Sequence, residues 1–317
     1  MHDLPAMYAL CSDVIAAQAN DLFDDAGNAR RYPHPPKLSD RECIALAVTA
    51  EALGIDSELQ LFARLRDCPE LLPHRCSRQR FNARRRGLTR VIDRCLRTVS
   101  EFLDADGEHL VVDSMPIPTA SIKRERRSRA CRRPERDAYC ADKTYHASTG
   151  HYVLGYKLHL TVTTSGVYAE HVVRPASYHD ARVLAELPEA HADGALPDEI
   201  ASRYAGRHLL ADRGYDAHQL RLDFDECFGA TLAAIMRASR RDWAPYDPWL
   251  RRWRRYIETV FSQLCDEVAM KVNRAKRFAG LDARVSTKLL TRTVKQWINY
   301  HTGRPLNQTK DWLAGLS

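Results

Sequence analysis

The sequence predicts an α/β protein in which a five-stranded sheet with flanking helices follows an all-helical N-terminal region. Three observations predict it. Apolar residues recur at helical spacing up to about residue 103, the period becomes strand-like after Gly107, and helical spacing returns in two long amphipathic segments from Pro248 onward. With 317 residues, 44% of them hydrophobic, the chain can bury one large core or two modest ones. Charged residues at 28% and aromatic residues at 8% exclude disorder as the main state. The most apolar run, Cys43 to Ala50, ends at Glu51, far short of the roughly 18 residues a membrane span needs. Nine cysteines without a CxxC pair read as reduced thiols, and the first twenty residues carry no Lys or Arg, so a cytoplasmic protein is expected.

The elements follow in order. Ser39 and Glu42 fit a capping box, and Cys43, Leu46, Ala47 and Ala50 keep helical spacing until Gly54. Leu59, Leu61, Phe62 and Leu65 mark a short helix over Ser57–Arg66. Ser77 can cap a basic helix that runs through Arg86, and Gly87 separates it from an amphipathic helix carrying Val91, Ile92, Cys95, Leu96, Val99 and Phe102. A short helix, a turn and an Arg-rich helix have the form of a helix-turn-helix unit. His109–Ile117 is a short strand closed by Pro116 and Pro118. Residues 152–164 alternate, with Tyr156, Leu158, Leu160 and Val162 on one face and Lys157, His159, Thr161 and Thr163 on the other. Ser165-Gly166 turns the chain into Val167–Val173. A helix over Ala181–Leu187 starts at Asp180, strands follow at Arg207–Ala211 and Thr231–Met236, and the last helix spans Val285–Tyr300.

Charge placement points to a polyanionic partner, with nucleic acid leading. Pro73–Thr89 carries Arg75, Arg78, Arg80, Arg84, Arg85 and Arg86 and no acid. Ser121–Arg136 sets eight basic residues, among them Lys123, Arg124, Arg126 and Arg127, against Glu125 and Glu135, and is expected to be an exposed loop. Guanidinium groups match phosphate oxygens in bidentate geometry. Lys157, on a strand face, and Arg251 and Arg254, on the long helix, complete the expected DNA contacts. Trp243 and Trp249, in a Pro-rich segment, are candidates for base stacking.

Three acids stand apart. Asp113 follows Leu110-Val111-Val112, Asp212 follows Leu209-Leu210-Ala211, and Glu258 lies beside the apolar stripe Trp253, Ile257, Val260, Phe261 and Leu264. Two acids at the ends of neighbouring strands and a third from a helix on that sheet can hold divalent cations for phosphoryl transfer, because hard cations take oxygen ligands. VVDSMPI around Asp113, GYKLHL at 155–160, LLADRGYD around Asp212 and RRYIETVFSQL at 254–264 together resemble the DDE-domain transposases of bacterial insertion sequences. FNARRRGL and RAKRFAGLDARVSTKLL extend that resemblance over about residues 75–300.

The resemblance implies a ribonuclease H-like mixed sheet with Asp113 on its first strand, Asp212 after its fourth and Glu258 on a following helix. These three residues would be both catalytic and metal-binding. It implies two Mg2+ ions, with Mn2+ as a substitute. Its implied substrate is double-stranded DNA, as element terminal repeats and as target, handled by a homo-oligomer on paired ends, cytoplasmic and nucleoid-associated. The expected organisation is a helical DNA-binding region at 1–103, a catalytic domain at 104–305 and a tail at 306–317. The chain departs from related enzymes around the glutamate, where Arg254 keeps position −4 but Arg251 stands at −7 and Cys265 at +7; Lys271, Arg274 or Lys276 are candidates to supply the missing cation. Two other classes share these residues: a metal-dependent nuclease that does not transpose, and a catalytically idle DNA-binding repressor.

Overall fold

The computed structural model describes residues 3–72, 76–103, 107–146, 150–236 and 248–310. Its contacts divide the chain into a helical unit (1–103, 135–138 and 263–317) and a sheet unit (104–134 and 139–262).

The helical unit contains α1 (Leu4–Ala19), α2 (Asp40–Ala52), α3 (Glu58–Arg64), α4 (Arg78–Gly87), α5 (Thr89–Leu103) and α10 (Phe278–His301). The capping box closes as expected: Ser39 Oγ accepts from the Glu42 N–H at 3.2 Å, and the Glu42 carboxylate accepts from the Ser39 N–H at 2.6 Å. Ser77 Oγ caps α4 by accepting from the Arg80 N–H. α1 is an element the sequence reading does not include, although its buried Leu4, Met7, Cys11, Val14 and Ile15 recur at helical spacing. α10 packs on α5 and α2 and is buried around nearly its whole circumference. Many of its polar residues find partners inside the unit. Thr287, Thr291 and Thr293 bond back to carbonyls one turn earlier, and Arg284 and Lys288 approach the buried Glu51 of α2 at 3.1 and 3.5 Å.

The stretch expected as one domain at 104–305 is therefore not one compact unit. The apolar side chains of α10 find their partners in α2 and α5, which draws residues 263–317 into the helical unit. Residues 306–310 of the expected tail are tied to that unit as well, where Thr309 Oγ1 donates to Glu267 at 2.7 Å; 311–317 lie outside the described residues.

The sheet unit contains β1 (His109–Ala120), β2 (Asp142–His146), β3 (His151–Thr163), β4 (Tyr168–Pro175), β5 (His208–Ala211) and β6 (Thr231–Ala234). It also holds α6 (Asp180–Ala192), α7 (Asp198–Ala201), α8 (His218–Phe228) and most of α9 (Pro248–Val268). The sheet order is β2-β3-β1-β5-β6, with β4 also on β3. β1 is antiparallel to β3 and parallel to β5, and β5 is parallel to β6. This is a mixed sheet with helices on its flanks, as expected. Leu110, Val112, Leu209, Ala211 and Leu232 form one buried face with Leu184 and Leu187 of α6 and Phe224 and Phe228 of α8.

Among the described residues the sheet has six strands, one more than the five expected. The extra strand, β2, has no apolar alternation, so its sequence carries no strand signal; it forms by pairing with the exposed end of β3. β1 also continues through Pro116 and Pro118, where an end was expected. Both prolines sit at the same parity, so the N–H each lacks falls on one edge of the strand. Beyond Val112 that edge has no β5 partner. Opposite them Gly155 is obligatory, because a Cβ there would lie 2.2 Å from the Ile117 carbonyl oxygen.

Candidate active site

The parallel register of β1 and β5 pairs Val112 with Ala211. Asp113 and Asp212, the next residue along each chain, therefore lie side by side where the β1–β5 pairing ends, Asp113 within β1 and paired with Leu160 of β3, Asp212 just past the end of β5. Both are half-buried. Asp113 Oδ1 accepts from the Ser114 N–H at 2.7 Å, and Asp212 Oδ1 accepts from the Gly214 N–H at 2.7 Å. Each carboxylate is held by a nearby backbone N–H, Asp113 by the next residue of β1 and Asp212 by the turn that follows β5.

A third aspartate joins them. Asp180, the first residue of α6, accepts at Oδ1 from Lys157 Nζ at 2.8 Å and from Ser114 Oγ at 3.2 Å. Gly214 is the spacer between Asp180 and Asp212: a Cβ at 214 would lie 2.9 Å from Asp180 Oδ2 and 2.9 Å from Asp212 Oδ1. From sequence, Asp180 is expected only to start a helix. His179 is in fact the cap residue, and Asp180 turns its carboxylate toward the strand ends. The signal for it was a His-Asp pair opening a helix, which is indistinguishable in sequence from an ordinary cap.

The buried Tyr215 hydroxyl reports the local field. Its pKa is held well above the phenolic range, first by burial and then by the negative charges of Asp180, Asp113 and Asp212. Tyr215 stands 3.2 Å from His159 Nδ1. Burial pushes the His159 pKa down to about 4, against the opposing pull of Asp180. His159 is therefore neutral at neutral pH, and its 3.9 Å approach to Asp180 is not an ion pair under those conditions.

Glu258 lies on α9 and is exposed, next to a stripe of fully buried Ile257, Val260 and Leu264. One turn-facing contact fixes this part of the helix: the Tyr256 hydroxyl donates to the Ser165 carbonyl at 3.2 Å. Ser165 follows Thr163, which pairs with Leu110 near the start of β1, whereas Asp113 and Asp212 project beyond the β1–β5 pairing. Among the described residues no group of three or more His, Cys, Asp or Glu is gathered tightly enough to hold a metal ion. The structure thus brings Asp113 and Asp212 together and does not close Glu258 onto them. The donor set nevertheless suits a hard divalent cation, because the strand ends present oxygen ligands in a negative field that Tyr215 registers.

The expected DNA contacts divide into two groups. Arg78 and Arg80 are exposed on α4, Arg86 is half-buried, and Lys123, Arg124, Arg126 and Arg127 are exposed on the turn after β1. Three others have their charge engaged inside the protein. Arg84 donates from Nε and Nη2 to the buried Asp40 at 2.8 and 2.7 Å. Arg85, itself buried, donates to Glu58 at 2.6 Å. Lys157 bonds Asp180 and the Tyr178 carbonyl. Each of these three cations is already engaged by a carboxylate of the protein, fully buried in Asp40 and partly exposed in Glu58 and Asp180, so none is a free charge for a phosphate. The side chains of Arg251, Arg254 and Trp249, and all of Arg75 and Trp243, lie outside the described residues. No helix among the described residues is long and apolar enough to cross a membrane.

The Transposase DDE domain family matches residues 104–294, well over half of the chain, and the protein belongs to that family. No curated protein matches the chain. Among solved structures it is similar to the Mos1 transposase paired-end complex with left transposon end, at 16% identity over 84% of this chain and 81% of that one. The TM-score is 0.23.

Proposed function

We propose that the protein is an insertion-sequence transposase that cleaves DNA strands at the ends of its element and transfers the freed ends into target DNA. The observation that carries this reading is the placement of Asp113 and Asp212 side by side where the parallel pairing of β1 and β5 ends, within a chain of the DDE family. Asp113, Asp212 and Glu258 are the proposed catalytic residues and the proposed ligands of two Mg2+ ions, with Mn2+ as a substitute. Such ions, when bound, supply a Lewis acid for the attacking oxygen and for the leaving oxygen. The chain's own part is to hold the ligands in place. The Ser114 and Gly214 N–H groups fix the two aspartates, and Lys157 keeps Asp180 from adding its full charge to the pair.

The exposed arginines on α4 of the helical unit and, separately, those on the turn after β1 of the sheet unit are the proposed phosphate contacts, and double-stranded DNA is the proposed partner. A homo-oligomer on paired ends, working on DNA in the bacterial cytoplasm and at the nucleoid, completes the proposal. It is tested by incubating the full chain with labelled element ends, target DNA and Mg2+ and resolving the products. Joined products support a transposase; cut ends that are never joined support a nuclease; tight binding without cutting supports a DNA-binding repressor. Asp113→Asn is expected to abolish cutting while DNA binding persists.

A further inference from the structure

A cavity of about 300 Å³ lies within the helical unit, between α4 and the segment that leads into α10. Arg85, Arg86, Arg274, Lys276, Arg277 and Arg284 line it, and Glu58 is its sole acid. Several of these charges are already used. Arg85 pairs with Glu58, Arg284 with Glu51, and Arg274, largely exposed, with Asp56 at 2.9 Å. Arg86, Lys276 and Arg277 make no ion pair among the described residues, so the cavity wall keeps an excess of positive charge.

The second observation is independent of that tally. Arg85 is 5% exposed and its Nε, buried, has no hydrogen-bond partner. A buried guanidinium N–H left unsatisfied beside a second buried guanidinium, Arg284, is costly unless an anion completes it. Burial and the repulsion from Arg284 both work against the charge on Arg85, and Glu58 offsets only part of this. Phosphate oxygens match these fork-shaped donors.

We propose that this cavity is a phosphate-binding subsite that takes a backbone phosphodiester of duplex DNA. The DNA source rests on the transposase reading above and on one feature of α4. Arg78, Asn82 and Arg86 recur every four residues and share a face, and Asn82 and Arg86 line the cavity, so exposed Arg78 lies about 6 Å along the helix beyond its rim. A single phosphate ion would occupy the cavity alone. A continuous strand reaches both.

The test is fluorescence anisotropy of the full chain with a labelled duplex, without divalent metal, over a salt series from about 50 to 200 mM. The variants are Lys276→Gln with Arg277→Gln, both exposed and neither capping α10 through its side chain, and Arg78→Gln. The double variant is expected to lose roughly tenfold in affinity and to flatten the log K against log salt slope by about one to two, with Arg78→Gln adding to the loss. Circular dichroism confirms folding of each variant, and Arg182→Gln, remote on α6, should match wild type. Duplex affinity and slope unchanged in the double variant overturn the proposal. So does 31P line broadening of inorganic phosphate that the double variant abolishes while duplex binding stays intact, which would make the cavity a free-phosphate site. The readout needs no cleavage, so a protein that shows the expected binding losses yet never cuts DNA fails the transposase reading alone.

Discussion

Arg84 shows how a residue that reads as a DNA contact can instead belong to the interior. Asp40 has a fully buried side chain, and its carboxylate takes two bonds from Arg84 together with the Tyr32 hydroxyl at 2.7 Å and the Ala29 N–H at 3.1 Å. Removing the cation leaves a buried charge without its counter-ion, and Arg84→Ala is expected to cost about 3–5 kcal/mol in urea unfolding. A loss of DNA affinity with unchanged stability would return Arg84 to the binding surface. His159 makes a second prediction. Its pKa is about 4 in the folded protein against an ordinary 6.5, so the unfolded chain takes up a proton first as pH falls. Stability present above pH 6.5 is therefore lost between 6.5 and about 4, by about 3 kcal/mol in all. His159→Gln should flatten that part of the pH dependence whatever its effect at pH 7.

At the scale of elements, β1 and β3 are the frame on which the site is built, and Gly155 lets them pair. Gly155→Ala would set a Cβ against the Ile117 carbonyl, which belongs to the backbone and cannot swing aside, so a loss of about 1–3 kcal/mol is expected as a lower melting temperature. The hairpin of β3 and β4 was legible because its alternation is strong and Ser165-Gly166 marks its turn. β5 and β6 were legible as short apolar runs. β2 was not, since its residues are polar on both faces and only the partner strand makes it a strand. The early start of α10 at Phe278 was hidden by Gly280, which lowers helix propensity, while the Phe278 N–H is satisfied by Asp137 Oδ1 at 2.7 Å, far away in sequence. Asp113 and Asp212 were found because an acid ending an apolar strand is conspicuous. Asp180 was not, because its meaning depends on Lys157, Ser114 and Gly214, which the fold alone brings near.

For the whole molecule, two compact units share one chain that passes from the sheet unit back into the helical unit along α9. Glu258 lies on that helix only a few residues before the passage, and it is the one proposed ligand not gathered with the strand-end aspartates. The proposed function requires Glu258 to act with them. The most direct test is metal-dependent cleavage of labelled element ends by wild type, Asp212→Asn and Glu258→Gln, with duplex binding followed in parallel. The account predicts cutting by wild type alone, lost by at least roughly 100-fold in both variants, with duplex binding retained in all three. Cleavage by Glu258→Gln at the wild-type rate, with Asp212→Asn inactive, would contradict the three-carboxylate site.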